Sequence, residues 1–521
     1  MLTIGIITLI ITSSYNRYSV VLLKDTYSIT ILTILYTIII LYNSHTMTYI
    51  GTGMEILNHN ICITVYNIYI QILLLCIVII YMVVHNSYIR VYYNSIYYRE
   101  LCIIILLNIF SMVIFIDSNN TILFFVAIEL QSYTLYIITT MYHRDSTLEG
   151  IGSTKSGMVY FLLGTFASIT ILAGIVLVYS TTNLVCITDI NTYMYILYSD
   201  NTSNIPYILY FSYMLVIVGM LMKVGIVPLH IWLINIYSTT PTIITMYISL
   251  VSKISILTVL YSIIHNNIIV YSNNITNILV LISILCMLVG AIGGIPHIHI
   301  KRVIAYSGLT NIGYLLYSIT SNNSYTIGSY ILYIYQYSIT HILWFLLLLY
   351  TIIYYKKWYT YMRTHSKNAS TNNKYILTSI LHTITIRDLY SIILCNRSIV
   401  FCYVIVLSSL IGIPPLAGFY GKYYILISGI LSSYYVASIV LIISSTITTY
   451  YYAYQLHIVT FTKDTSGNIP YKFLSSIHSK YISSSILAYI ISICTLVLLL
   501  PVYTIDIYVK GGMILGYFLS T

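Results

Sequence analysis

The side chains best suited to chemistry in this chain are a few charges set inside apolar sequence. Glu129 lies in TILFFVAIELQSYTLYIITT, Lys223 in VIVGMLMKVGIVPLHIW, Lys253 in SLVSKISILTVL and Lys422 in LAGFYGKYYIL. A charge in hydrocarbon costs at least about 2.5–3.5 kcal/mol on insertion scales, so it persists only where it is paired or hydrated. Glu129 and Lys223 can form an ion pair whose protonation switches, or a static bridge that locks two helices. Lys253 and Lys422 have no acid in their own segments and are expected to be unpaired. Desolvation disfavours a charged amine, so such lysines can take up and release protons. His230, seven residues after Lys223, and His341, in YSITHILWFLL, join the set. An imidazole titrates near neutral pH and can relay protons. An interfacial place suits His230 equally well, as core packing suits His341.

The elements that carry these groups must be membrane helices. Of 521 residues, 59% are hydrophobic and only 7% charged, with a mean hydropathy of +0.91. Soluble domains hold roughly 25% charged residues, so a water-soluble fold is excluded. At about 20 apolar residues per crossing, the chain divides into about fourteen spans: 2–21, 28–44, 61–84, 100–117, 121–141, 157–180, 207–229, 242–264, 269–293, 303–320, 328–354, 401–428, 434–461 and 484–505. The apolar start lacks a basic stretch and a small-residue cleavage site, so it reads as the first span.

Loop charges test that division. Of the 22 lysines and arginines, 18 fall in loops after odd-numbered spans, counting Arg17 at the end of span 1 with its loop, one (Lys510) lies in the C-terminal tail, and three lie inside spans. A miscounted span would scramble this segregation. By the positive-inside rule the basic loops, including the one across 355–400, face the matrix or cytoplasm, and both termini face the other side. The net charge of +10 is thus loop charge; no basic helix or aromatic-interleaved patch points to nucleic acid. Sixty tyrosines with abundant Ile and Asn suggest AT-rich codons and an organelle genome.

Two spans are interrupted in similar ways. Gly225, Pro228 and His230 follow Lys223 in span 7; Pro414, Pro415, Gly418 and Gly421 precede Lys422 in span 12. Such breaks in corresponding spans of two halves are a sequence pointer to a transporter's ion path. Spans 7 and 12 are five apart, and an odd-numbered helical unit repeated in tandem inverts its topology. The expected fold is an all-α polytopic membrane protein with two inverted five-helix repeats and discontinuous helices 7 and 12. Residues 1–117 hold helices 1–4, 100–264 the first repeat, 269–461 the second with its basic loop, and 484–521 a last helix and tail. The eight cysteines have no CxxC or Cys–His spacing. His297-x-His299 has no acid or cysteine nearby, so no metal or cluster is expected.

At these residues the chain resembles a known family. GMLMKVGIVPLHIWL, PTIITMYISLVSKISIL, IKRVIAYSGLTNIGYLL and GIPPLAGFYGKYYIL are similar to the antiporter-like membrane subunits of respiratory complex I, over about residues 121–460. The resemblance implies a proton-pumping subunit driven by quinone reduction elsewhere. Glu129 would be the coupling glutamate, Lys223 its partner, Lys253 the central lysine, Lys422 the terminal lysine, and His230 the histidine of the same motif. It implies no cofactor in this chain, with flavin, iron–sulfur clusters and quinone in other subunits. The implied partners are membrane-arm subunits and lipids in the mitochondrial inner membrane. The chain departs from the pattern at Val159, where relatives carry a lysine and Lys155 stands four residues earlier, at Asn311, where histidine is frequent, and at Asn235, which replaces an acid. The competing readings are an Mrp-type cation/proton antiporter subunit and a structural membrane scaffold.

Overall fold

The structure is a computed structural model. It describes residues 1–15, 21–47, 53–92, 99–141, 148–199, 207–271, 274–321, 323, 325–365, 385–389, 397–461 and 486–499. Most of the basic loop and the C-terminal tail fall outside the described residues.

Apolar runs without water must satisfy every backbone amide internally, and this chain does so with helices. In order they are α1 (Leu2–Tyr15), α2 (Val21–Met47), α3 (Val65–Tyr92), α4 (Arg99–Asp117), α5 (Thr121–Thr140), α6 (Leu148–Thr182), α7 (Ile187–Ser199), α8 (Tyr207–Val224) and α9 (Ile231–Thr239). There follow α10 (Thr242–Tyr247), a π-turn (Ile248–Ser252), α11 (Lys253–Tyr271), α12 (Asn274–Gly294), α13 (Ile300–Thr320) and α14 (Thr326–His365). The last are α15 (Arg397–Ile411), α16 (Ala417–Leu431), α17 (Tyr435–Phe461) and α18 (Ile486–Leu499). Each expected span overlaps helix, and nine described helical segments are long and apolar enough to cross a membrane by length and composition.

Burial separates centre from rim. The most apolar window of the Thr242–His265 segment is wholly buried, and that of Thr326–Ile353 is 89% buried, against 28% for Asp25–Ser44. The lysine-bearing α10–α11 rod and α14 therefore form the middle of the bundle. They are tied where the Tyr337 hydroxyl donates to the Ser249 carbonyl at 3.1 Å, inside the π-turn.

Two short elements add to the membrane spans expected from the sequence. Span 3 was expected from residue 61, but Ile61–Ile63 pair antiparallel with Met54–Ile56, Glu55 opposite Cys62, and helix begins only at Val65. Leu57, Asn58 and His59 turn the chain with positive φ, and the β-branched isoleucines favour the strand. This hairpin is tied to its neighbours: the Asn119 amide donates to the Asn60 carbonyl at 2.9 Å, and the Ile187 amide to the Asn119 carbonyl at 2.7 Å. Between spans 6 and 7 lies α7, too short at 13 residues to cross. It buries Ile190 and Met194, one turn apart, and exposes Tyr195 and Ile196. Alternation of that kind marks an amphipathic helix.

Candidate functional site

The breaks are the local feature that places the charges. Gly225 ends α8 with φ +82°, and Gly412 ends α15 with φ +92°, a region that costs glycine little and other residues more. The following sequences, Gly225-Ile-Val-Pro-Leu229 and Gly412-Ile-Pro-Pro-Leu416, repeat one another. The lysines sit on opposite sides of this shared break. Lys223 lies in the last turn of α8, whereas Lys422 lies in α16, beyond the break. Lys422 reaches back so that its Nζ donates to the carbonyls of Leu410 and Ile411 at 2.9 and 3.0 Å. Those carbonyls are the orphans of a helix end, the negative end of its dipole. The expectation of an unpartnered Lys422 is corrected: it has no acid, but it has two acceptors.

Glu129 and Lys223 meet as expected. Lys223 Nζ donates to Glu129 Oε1 at 2.6 Å, with longer contacts to Ser132 Oγ at 3.4 Å and the Ile128 carbonyl at 3.5 Å. The two side chains are only 5% and 13% exposed, so neither has bulk water as an alternative partner. Removing one member of such a pair leaves an uncompensated charge.

Lys253 begins α11 directly after the π-turn. It is 2% exposed, and its Nζ has no hydrogen-bond partner. The ammonium sits 5.0 Å from the centre of the Tyr237 ring, within cation–π range, and a Cβ added at Gly308 of α13 would be 3.9 Å from it. Two small cavities lie in this region and share Lys223, Trp232 and Ser252 in their linings. One of about 20 Å³ is lined by Gln131, Ser132, Lys223, Trp232 and Ser252 among others. The second, about 10 Å³, is lined by Lys223, Tyr237, Ser252 and Lys253 among others. A single water needs roughly 10–15 Å³, so water can stand between Lys223 and Lys253.

On the far side the polar line continues through residues that sequence reasoning undervalued. His341 Nε2 accepts from Asn311 Nδ2 at 3.0 Å, and the Tyr333 hydroxyl donates to Asn311 Oδ1 at 2.9 Å. With Nε2 accepting, the proton of a neutral His341 belongs on Nδ1, which is buried without a partner. The His341 ring packs 4.4 Å, centre to centre, from that of Tyr337, whose hydroxyl reaches the Ser249 carbonyl one turn before Lys253. Tyr333 and Gln336 then press against Gly421, beside Lys422, in space that a Cβ there would occupy. Asn311 is the centre of this link; its departure from the family pattern was the only signal of it in the sequence.

The remaining candidates lie apart from this line. His230 is half-buried at the start of α9, its Nδ1 3.2 Å from the Pro228 carbonyl. Lys155 is exposed, outside the buried line. Lys301 is buried and donates to the Thr240 carbonyl at 2.8 Å. Among the described residues no group of three His, Cys, Asp or Glu is arranged to hold a metal.

A helical membrane bundle with one buried acid–base pair and further buried lysines along its centre, set by two broken helices, has the architecture of the antiporter-like membrane proteins. The sequence profile of the family described as NADH:quinone oxidoreductase/Mrp antiporter, TM matches residues 118–448, and the chain belongs to that family. NADH-ubiquinone oxidoreductase chain 2 of Wickerhamomyces canadensis is 37% identical over 334 residues, which cover 61% of this chain and 54% of the relative. Its counterpart from Rhizopus oryzae is 31% identical, covering 63% and 57%. The chain thus matches little more than half the length of these two relatives. NADH-quinone oxidoreductase subunit N of Pelagibacter ubique is 29% identical and covers 74% of both chains. Among solved structures, a chain of respiratory complex I from Thermus thermophilus superposes with a TM-score of 0.69 at 16% identity, covering 98% of this chain and 97% of its own. A chain of the Mrp complex from a Dietzia species gives 0.73 at 13% identity, covering 100% and 96%. At those identities the likeness is one of fold.

Proposed function

We propose that the chain is a proton-translocating membrane-arm subunit of a respiratory NADH:ubiquinone oxidoreductase, complex I, in the mitochondrial inner membrane. The observation that carries this reading is the buried Glu129–Lys223 pair, whose lysine lines the same small cavity as Lys253, a buried amine without a hydrogen-bond partner. When the pair tightens, the charge of Lys223 is offset and Lys253 holds a proton at lower cost. When it opens, two like charges face one another. At an effective dielectric near 20, unit charges about 8 Å apart repel by roughly 2 kcal/mol, enough to expel a proton from a desolvated amine. His341, Asn311 and Tyr333 continue the line toward Lys422, and His230 serves the inner end of span 7. In this reading spans 4–8 and 9–13 form the inverted repeats, both termini face the intermembrane space, redox chemistry stays in other subunits, and membrane-arm neighbours and lipids are the partners.

The test is proton pumping by the complex in proteoliposomes. Glu129→Gln and Lys223→Met should assemble on a native gel yet lose most pumping and the electron transfer coupled to it. Normal pumping in both would leave only a scaffold. Kinship with Mrp proteins supplies the second reading, cation/proton antiport, and net Na⁺ transport by this chain alone would favour it.

A further inference from the structure

The proton line described above leaves unused a second buried polar chain, which joins it to the N-terminal helices. Asn108, midway along α4, is fully buried. The Tyr247 hydroxyl of α10 donates to its Oδ1 at 2.7 Å. Its Nδ2 donates to Thr134 Oγ1 at 2.7 Å and to the Gln131 carbonyl at 3.2 Å, both on α5. Gln131 Nε2 then donates to Ser255 Oγ of α11 at 2.7 Å, and Ser255 Oγ to the Ser252 carbonyl at 2.9 Å. Gln131 stands two residues after Glu129, and Ser255 two after Lys253. The bond between them therefore links the turn carrying the acid to the turn carrying the unpaired lysine.

The other end of the Gln131 amide points to a ligand. Its Oε1 is buried without a protein partner, and Gln131 lines the cavity of about 20 Å³ shared with Ser132, Lys223 and Ser252. An unpaired buried carbonyl oxygen costs about 1–3 kcal/mol, and an adjacent polar space large enough for water is how proteins satisfy such atoms.

We propose that Gln131 is a positioning residue for proton transfer. Its amide nitrogen, through Ser255, sets the approach of the Glu129 helix to the Lys253 helix, and its amide oxygen holds the water facing Lys223 and Ser252. Asn108 fixes that turn of α5 from α4, which gives the N-terminal part of the chain a role in coupling. The proposal rests on the proton-path reading given above.

The experiment compares Ser255→Thr, which keeps the hydroxyl, with Ser255→Val, which has the same shape without it, in the assembled complex in proteoliposomes. Proton translocation is followed across a pH series at equal amounts of complex. Ser255→Thr should pump normally. Ser255→Val and Gln131→Met should each slow translocation by roughly two- to tenfold, the loss of one buried hydrogen bond, and shift the pH profile. The double variant should be no worse than Gln131→Met alone, because that change already removes the bond to Ser255. Equal behaviour of the Thr and Val variants, or losses that multiply in the double variant, overturns the proposal. If either Ser255 variant fails to assemble, Gln131→Met decides alone, and normal pumping by it overturns the role. Lys253→Ala in the same assay separates the two readings. Normal pumping there would sink the proton path itself, whereas loss there with normal Gln131→Met would sink only the positioning role.

Discussion

The three lysines inside spans occupy three different environments, and in the proton-path reading the differences give them separate duties. Lys223 has a carboxylate at 2.6 Å, Lys422 has two helix-end carbonyls, and Lys253 has an aromatic face and no hydrogen-bond partner. Of the three, Lys253 loses least when it gives up its proton, because it makes no charge-assisted hydrogen bond that would weaken. A group that works by exchanging a proton cannot be replaced by one that always keeps it, and guanidinium stays protonated throughout the accessible pH range. Lys253→Ala and Lys253→Arg should therefore both abolish or strongly reduce pumping and coupled electron transfer while the complex still assembles. A Lys253→Arg complex that pumps normally would mean that position 253 supplies only a fixed positive charge.

At the level of elements, the two interrupted helices do the positioning, and their geometry admits little change. In α16 the backbone of Gly418 passes so close to α15 that a Cβ would collide with the Ser409 carbonyl oxygen. Backbone cannot move aside as a flexible side chain can, and overpacking of this kind typically costs about 1–3 kcal/mol or more. Gly418→Ala should lower the amount of intact complex on a native gel, and any complex that forms should pump poorly because Lys422 loses its hold on Leu410 and Ile411. Full assembly with full pumping would show that the close approach is not needed.

On the scale of the whole molecule, the asymmetry of loop charge makes a topological prediction. The segment from Lys356 to Arg397 carries seven basic residues and one acid, Asp388. In right-side-out mitoplasts it should resist added protease. His59, whose side chain is 70% exposed in the hairpin at the opposite end of span 3 from Arg90, lies on the other face in the same map. A cysteine placed there should react with an impermeant maleimide. Cleavage of the basic segment in sealed mitoplasts would overturn the span map.

Hydropathy by itself determined that this is a helical membrane protein, where its crossing helices run and that Glu129, Lys223, Lys253 and Lys422 lie inside them, whereas Lys301, counted with the loops, is buried as well. An apolar run in lipid has few backbone solutions, and a buried charge is conspicuous for its rarity. The Gly-Pro breaks were also legible, since those residues act on the backbone locally. Tertiary structure decided the rest. Lys223 and Lys422 stand on opposite sides of equivalent breaks, and only the return of α16 onto the end of α15 gives Lys422 its carbonyls. Ser132, Tyr237, Asn311 and Gln131 look like ordinary polar or aromatic core residues in sequence, because their partners lie on other helices, up to 124 residues away for Gln131 and Ser255. The hairpin and α7 escaped notice because short elements beside the membrane carry a weak hydropathy signal and are held by backbone bonds to distant loops. One-dimensional pattern records which groups are buried; which of them meet is set by helix packing, which no local stretch encodes.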